Sequence, residues 1–154
     1  MKTLIEAAQD QEITIDPNRN IRFLVERNSF LGSWSGLVSL DSSLLEQALN
    51  NLLDNAAKYS FDRTEVTIYG GSGRRGGFQI TVANFGLPIR PSDVGKLIRR
   101  GYRTPEADAV TQEGSGIGLW IVDNIMKAHG GELVLIPTKP NGQNEVKLVF
   151  PVNE

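Results

Sequence analysis

The amino-acid sequence predicts a two-layer α/β (α+β) sandwich, a mixed and mostly antiparallel sheet with helices on one face. Residues 43–60, SLLEQALNNLLDNAAKYS, put Leu44, Leu45, Ala48, Leu49, Leu52, Leu53 and Ala56 at helical spacing on one broad apolar face. Residues 117–128, IGLWIVDNIMKA, show the same periodicity and end at His129-Gly130-Gly131, a glycine stop. Short β-prone runs stand between and after these helices, several of them joined by turn signals. Helices and strands in this order pack as helix layer on sheet.

With 154 residues, 40% of them hydrophobic and 22% charged, the chain is expected to be one globular domain with a real core. A formal net charge of −2 argues against non-specific nucleic-acid binding, which needs a basic surface. The absence of cysteine excludes disulfides, thiolate metal sites and cysteine nucleophiles. No apolar run approaches the ~20 residues of a membrane span, and no signal peptide precedes Asp10. The expectation is therefore an aqueous, cytoplasmic setting.

Taken in order, residues 1–9 have helical composition but are too short to stand alone, so residues 1–12 are expected to be the tail of a preceding helix or linker and 13–154 the domain proper. Ile13-Thr14-Ile15 alternates briefly before the turn signal Asp16-Pro17-Asn18. Ile21, Phe23 and Val25 read as a half-exposed strand, residues 28–36 as a loop, and Leu37, Val38 and Leu40 as a short strand. For the helix at 43–60, Asp41 can cap the start, and Ser43 with Glu46 also fits a capping box. Strands follow at 65–69 and 78–83, an antiparallel hairpin across GGSGRRGG, in which no regular structure is expected. After the breaker-rich NFGLPIRP comes a short helix at about 92–100. Residues 101–116, GYRTPEADAVTQEGSG, hold almost nothing that could anchor a core and read as a lid loop. Strands at 133–136 and 146–150, separated by Lys139-Pro140-Asn141-Gly142, complete the sheet.

Three stretches carry chemistry. On the helix at 43–60, Gln47, Asn51 and Asn55 step by four residues down one side, with Lys58 and Tyr59 at its lower end. Amide oxygens are neutral hard ligands suited to Mg²⁺, and a lysine is a point charge suited to phosphate. The same stripe is also compatible with an ordinary half-buried amphipathic helix. In Gly114-Ser115-Gly116-Ile117-Gly118-Leu119, glycines precede a helix whose first N–H groups and dipole favour an anion. No strand leads directly into these glycines and no Lys-Ser/Thr follows them, so neither the dinucleotide fingerprint nor Walker A applies. Finally, Val82-Ala83-Asn84-Phe85-Gly86-Leu87-Pro88-Ile89 puts a polar side chain at a strand end before a tight turn. That arrangement can meet the edge of a flat heterocycle or can be a plain connection. His129 ends a helix, where an imidazole is favourable against the dipole, and is not expected to be a phosphate acceptor.

The order of these stretches resembles the GHKL ATP-binding superfamily with its Bergerat-type fold, and within it the catalytic domain of sensor histidine kinases. The resemblance spans roughly residues 37–152 and is strongest in NLLDNAAKYS and GSGIGLWIV. It implies Mg²⁺ on Asn55, Asn51 supporting the phosphate end, Lys58 on phosphate and Tyr59 along the nucleotide. It further implies Arg103, in LIRRGYR, as a γ-phosphate contact, and Gly114, Ser115, Gly116, Gly118 and Leu119 around the phosphates. Asn84 and Gly86 would belong to the adenine box. The implied cofactors are ATP and Mg²⁺. The implied partners are a histidine-acceptor dimerisation domain and, indirectly, a response regulator, with no direct membrane contact by this domain.

Three positions depart from the family pattern. Asn84 replaces the usual Asp and accepts a hydrogen bond without charge assistance, Pro88 removes a backbone donor, and Ile98 replaces Phe. Hydrolysing relatives carry Glu one turn before the metal-binding Asn, where this chain has Asn51, and an amide cannot accept a proton from water. A degenerate, non-catalytic module and an anti-sigma-type serine kinase are the alternative expectations.

Overall fold

The structure is a computed structural model and describes residues 2–31, 40–110 and 116–152. Among the described residues five helices, α1 (Lys2–Thr14), α2 (Ser42–Tyr59), α3 (Val94–Leu97), α4 (Pro105–Val110) and α5 (Gly118–Ala128), accompany five strands. The strands are β1 (Arg22–Val25), β2 (Glu65–Ser72), β3 (Phe78–Phe85), β4 (Glu132–Ile136) and β5 (Gln143–Phe150), in the sheet order β1-β2-β3-β5-β4. Among the described strands only β1 and β2 run parallel. The expected mixed, mostly antiparallel sheet is the one observed.

Helix α2 starts where a side chain satisfies its first amides: Asp41 Oδ1 accepts from the N–H groups of Ser43 (2.9 Å) and Leu44 (3.1 Å). Its apolar stripe enters the core through Ala48, Leu49, Leu52, Leu53 and Ala56, while Leu44 remains 37% exposed at the outer end. The helix ends under Arg19, which donates to the carbonyls of Ala57 (2.7 Å) and Ser60 (2.5 Å). A cation on these carbonyls offsets the helix dipole.

Helices α1 and α5 flank α2 on the same face of the sheet. Helix α1 runs through Thr14, past the brief alternation at 13–15, because Leu4, Ala7 and Ala8 bury against α2 and β1. Helix α5 buries Val122, Ile125 and Met126. At its end His129 stitches the layer together: Nδ1 donates to the Ile125 carbonyl (2.7 Å) and Nε2 accepts from the Asp41 N–H (3.1 Å).

The register sorts the two sheet faces. Ile68, Val82, Val146 and Leu135 follow one another across the strands toward the helices, as do Ile80, Leu148 and Leu133. On the opposite face Tyr69, Thr81 and Lys147 are cross-strand neighbours, beside Ala83 and Glu145. There Glu145, only 5% exposed, accepts from Tyr69 Oη (2.9 Å) and pairs with Lys139 (2.6 Å) and Lys147 (3.8 Å). Burial works to raise the Glu145 pKa, but bonds from Lys139 and Tyr69 and the two lysine charges hold it below the ordinary 4.5. Burial, reinforced by Glu145, pushes the Tyr69 hydroxyl up to about 12.

Several boundaries differ from the sequence expectation. The β2 strand continues through Gly70 and Gly71 to Ser72, and Arg74–Gly76 form a 3₁₀ turn where no regular structure was expected. A Cβ on Gly70 would lie 2.7 Å from Phe30, so glycine there makes room for an aromatic ring. The loop at 28–36 includes a 3₁₀ turn over Arg27–Leu31, and the helix expected at 92–100 is a single turn, Val94–Leu97. The lid contains helix α4, anchored by Ala107 at 8% exposure. The strand expected at Leu37, Val38 and Leu40 falls largely outside the described residues; Leu40 itself is not in a strand.

Candidate functional site

A cavity of about 250 Å³ opens between the second half of α2, the ends of β3 and β5, and the segment from Tyr102 to Ala107. Apolar side chains, among them Leu52, Val82, Leu135 and Val146, share its lining with polar ones from α2, from β3 and β5, and from residues 102–104.

At one end α2 meets the start of α5. A Cβ on Gly118 would lie 3.5 Å from Asn51 Oδ1 and 3.7 Å from Asn55 Oδ1, so both amide oxygens face the N-terminus of α5. Asn51 Nδ2 donates back to the Gln47 carbonyl at 2.9 Å, which turns its oxygen outward. Among the described residues no side chain caps α5, leaving its first N–H groups and the positive end of its dipole for an anion. Among the described residues no cluster of three His, Cys, Asp or Glu could hold a metal. A cation here would rest on amide oxygens and on the oxygens of its own ligand. Mg²⁺ is commonly held this way, by few protein oxygens plus phosphates and water, so the donor set fits it.

Lys58 borders this end and pairs with Asp54 at 2.7 Å. Arg103, its side chain 12% exposed, reaches Asp108 at 3.1 Å and the Ala107 carbonyl at 3.1 Å. It also lies 3.5 Å from Tyr59 Oη, at the outer limit of a hydrogen bond. A second ion pair, Arg90 with Glu106, ties the first turn of α4 to the far rim. A backbone hydrogen bond within its own turn, then Arg90, holds the Glu106 carboxyl below its usual range. Helix α4 is thus drawn over the cavity by two arginines from outside it.

At the other end stand two asparagines that are Cα partners across β3 and β5, Asn84 and Asn144. Asn144 is engaged at both ends of its amide. Its Nδ2 donates to the Leu87 carbonyl (2.8 Å), and its Oδ1 accepts from Thr138 Oγ1 (2.5 Å), which accepts from the Ile89 N–H (2.7 Å). This relay pins the turn containing Pro88. Asn84, 9% exposed, donates from Nδ2 to Ser60 Oγ at 3.0 Å, and its Oδ1 accepts no hydrogen bond among the described residues.

The structure therefore brings Asn51, Asn55, Lys58, Tyr59, Asn84, Arg103, Gly116, Gly118 and Leu119 to one cavity. Gly86 is not on its wall. A Cβ there would lie 2.1 Å from the Tyr59 carbonyl oxygen, so glycine permits the close approach by which Leu87 N–H reaches that oxygen at 3.0 Å. Gly116, at φ +67°, packs on the backbone of Gly101, whose N–H donates to the Gly116 carbonyl at 2.9 Å. Gly114 and Ser115 lie outside the described residues.

Residues 40–154 match the family of histidine kinase-, DNA gyrase B-, and HSP90-like ATPases. The chain belongs to this family. It is 37% identical over 98 residues to the probable sensor protein PcoS of Escherichia coli, covering 64% of this chain and 21% of that protein. To the sensor histidine kinase CpxA of Escherichia coli K12 it is 38% identical over 87 residues, 56% of this chain and 18% of CpxA. The chain spans about a fifth of the length of these curated relatives. Among solved structures, the mycobacterial sensor histidine kinase MprB superposes with a TM-score of 0.75 at 24% identity, over 99% of this chain and 93% of that one. The catalytic domain of histidine kinase ThkA gives 0.74 at 21% identity, over 98% and 91%. At these identities the two structures establish the fold.

Three residues that shape this site, Ser60, Thr138 and Asn144, carry no motif of their own in the sequence. Ser60 is only the residue that ends α2, and Asn144 lies upstream of the alternation that marked the last strand at 146–150.

Proposed function

We propose that this domain is the catalytic, ATP-binding part of a two-component sensor histidine kinase. The observation that carries the proposal is the two-ended cavity. Asn51 and Asn55 oxygens face an uncapped helix N-terminus at one end, and Asn84 stands beside an apolar slot at the other. That spacing of features suits a nucleotide laid with its base against Asn84 and its phosphates at α5. Mg²⁺ bound with ATP would supply charge neutralisation on the phosphates, held by Asn55 with Asn51 beside it. The α5 amides would orient the phosphates, with Lys58 exchanging Asp54 for phosphate oxygen. Arg103 would contact the γ-phosphate from α4's side and exclude water as the lid closes. Phosphoryl transfer asks mainly for such positioning and neutralisation.

Asn51 has no proton-accepting oxygen of carboxylate basicity, so the domain holds ATP for transfer and hydrolyses it negligibly. The acceptor would be a histidine on a separate dimerisation domain of the same protein, entered through residues 1–12 at the start of α1. A response regulator would then take the phosphate. The domain would work in the cytoplasm without touching the bilayer; among the described residues no helix is long and apolar enough to cross a membrane.

The test is titration with a non-hydrolysable ATP analogue, with and without Mg²⁺. Saturable binding that Mg²⁺ strengthens, and that loses this strengthening in Asn55→Ala, is expected. Sustained phosphate release by the purified domain, abolished by Asn55→Ala, would contradict the transfer-only assignment.

A further inference from the structure

At the end of the cavity assigned to the base, Asn84 is an amide whose direction no committed partner fixes among the described residues. Asn84 Nδ2 lies 3.0 Å from Ser60 Oγ, and this is the Asn84 side chain's one hydrogen bond among the described residues. The Ser60 hydroxyl likewise has no other hydrogen bond there, and at 4% exposure it is shut away from water. A hydroxyl both donates and accepts, and it rotates to suit its neighbour. If the amide turns over, Ser60 donates to Oδ1 instead of accepting from Nδ2, and no bond is lost. The cross-strand Asn144 does not interfere, because Leu87 and Thr138 already occupy its amide. In one orientation Asn84 offers the cavity an acceptor; in the other it offers a donor.

We propose that Asn84, through its reversible contact with Ser60, lets this domain take 6-oxo purine nucleotides nearly as well as 6-amino ones. A carboxylate at residue 84 can only accept. It pairs with an exocyclic amine and repels a carbonyl at the same ring position. The amide pairs with either, so the position that would reject inosine and guanosine triphosphates no longer does so. The inference rests on the cavity being the ATP site described above.

The experiment is displacement of a fluorescent ATP analogue by ATP, ITP and GTP, each with Mg²⁺, from the wild-type chain and from Asn84→Asp. ITP is the main probe, because it adds no 2-amino group to the change at position 6. In the wild type, ATP and ITP dissociation constants within about tenfold are expected, since each base finds one neutral hydrogen bond at residue 84. In Asn84→Asp the preference for ATP should widen by a further tenfold or more, the range that separates charged from unpaired contacts. Because ITP also carries hydrogen at N1, the widening between the two proteins is what isolates residue 84. Wild-type discrimination against ITP beyond about tenfold overturns the inference, as does a ratio that Asn84→Asp leaves unchanged. Failure of ATP itself to displace the probe would instead remove the nucleotide site, and this inference with it. The wild-type comparison needs no substitution, so it stands even if Asn84→Asp folds poorly.

Discussion

Asn144 and Glu145 are neighbours on β5, yet the pleat sends them to opposite faces of the sheet, where each meets different partners. On the outer face, Glu145 accepts from Tyr69 and pairs with Lys139 and Lys147, so its charge is answered from within the chain. On the helix face, Asn144 is similarly committed, but the oxygen of its partner Asn84 accepts no bond among the described residues. Asn51 and Asn55 also turn oxygens toward an uncapped helix end. Polar groups that satisfy one another hold a fold together. Polar groups left facing an apolar cavity and a helix N-terminus are held ready for something the chain does not contain.

The largest break in this contrast should come from Asn55→Ala. Loss of the oxygen proposed to hold Mg²⁺ is expected to weaken Mg-dependent binding of an ATP analogue by at least about tenfold, with little change in thermal stability. Calorimetric titration with Mg²⁺ and with chelator separates the two effects. A stability loss with unchanged affinity would place Asn55 among the structural groups instead.

The reverse pattern is expected across the sheet. Glu145→Gln keeps an acceptor for Tyr69 but abolishes both lysine pairs, and should cost about 1–3 kcal/mol in denaturant unfolding. Nucleotide affinity should stay within about twofold. Asn84→Leu blurs the two classes: it removes the proposed base contact and strands the buried Ser60 hydroxyl, so binding should fall and stability drop by about 1–3 kcal/mol.

The outer cluster also sets a dependence on pH. Glu145 is depressed in the folded protein, so its contribution is present above the ordinary value of 4.5 and is lost as pH falls through the lower folded value. Tyr69 is raised, so its contribution is full below the ordinary 10.0 and is lost as pH rises toward about 12. Unfolding midpoints across both ranges should show two shoulders. Glu145→Gln should flatten the acid one and Tyr69→Phe the alkaline one.

The smallest effect belongs to the lid. Arg90 and Glu106 form an exposed pair, and such pairs contribute little. Glu106→Gln should leave global stability unchanged and modestly speed amide exchange in α4, whose amides should already exchange faster than those of α2. Exchange in α4 as slow as in α2, in the absence of nucleotide, would mean the lid belongs to the core.

The sequence alone determined the helices, expected at 43–60 and 117–128 and found at Ser42–Tyr59 and Gly118–Ala128, the β2–β3 hairpin and the amide stripe, because periodicity and capping depend on residues within a few positions of each other. It also brought forward Asn51, Asn55, Lys58, Tyr59, Asn84 and Arg103, which the structure brings to one cavity, but not Asn144, which lines it beside Asn84. It did not determine that Gly86 serves backbone contact and not the cavity wall, nor that Asp54 and Asp108 hold Lys58 and Arg103. Nor could it show that Ser60 faces Asn84 across 24 residues, or that Thr138 and Asn144 brace the turn at Pro88. The lid's helix follows the same rule: it is too short to form by propensity and is drawn in place by Arg90 and by burial of Ala107. A hydrogen-bond partner far along the chain leaves no periodic trace. Only the tertiary packing, which sets strand register and the height of each helix on the sheet, selects which donors and acceptors meet and which remain turned toward the cavity.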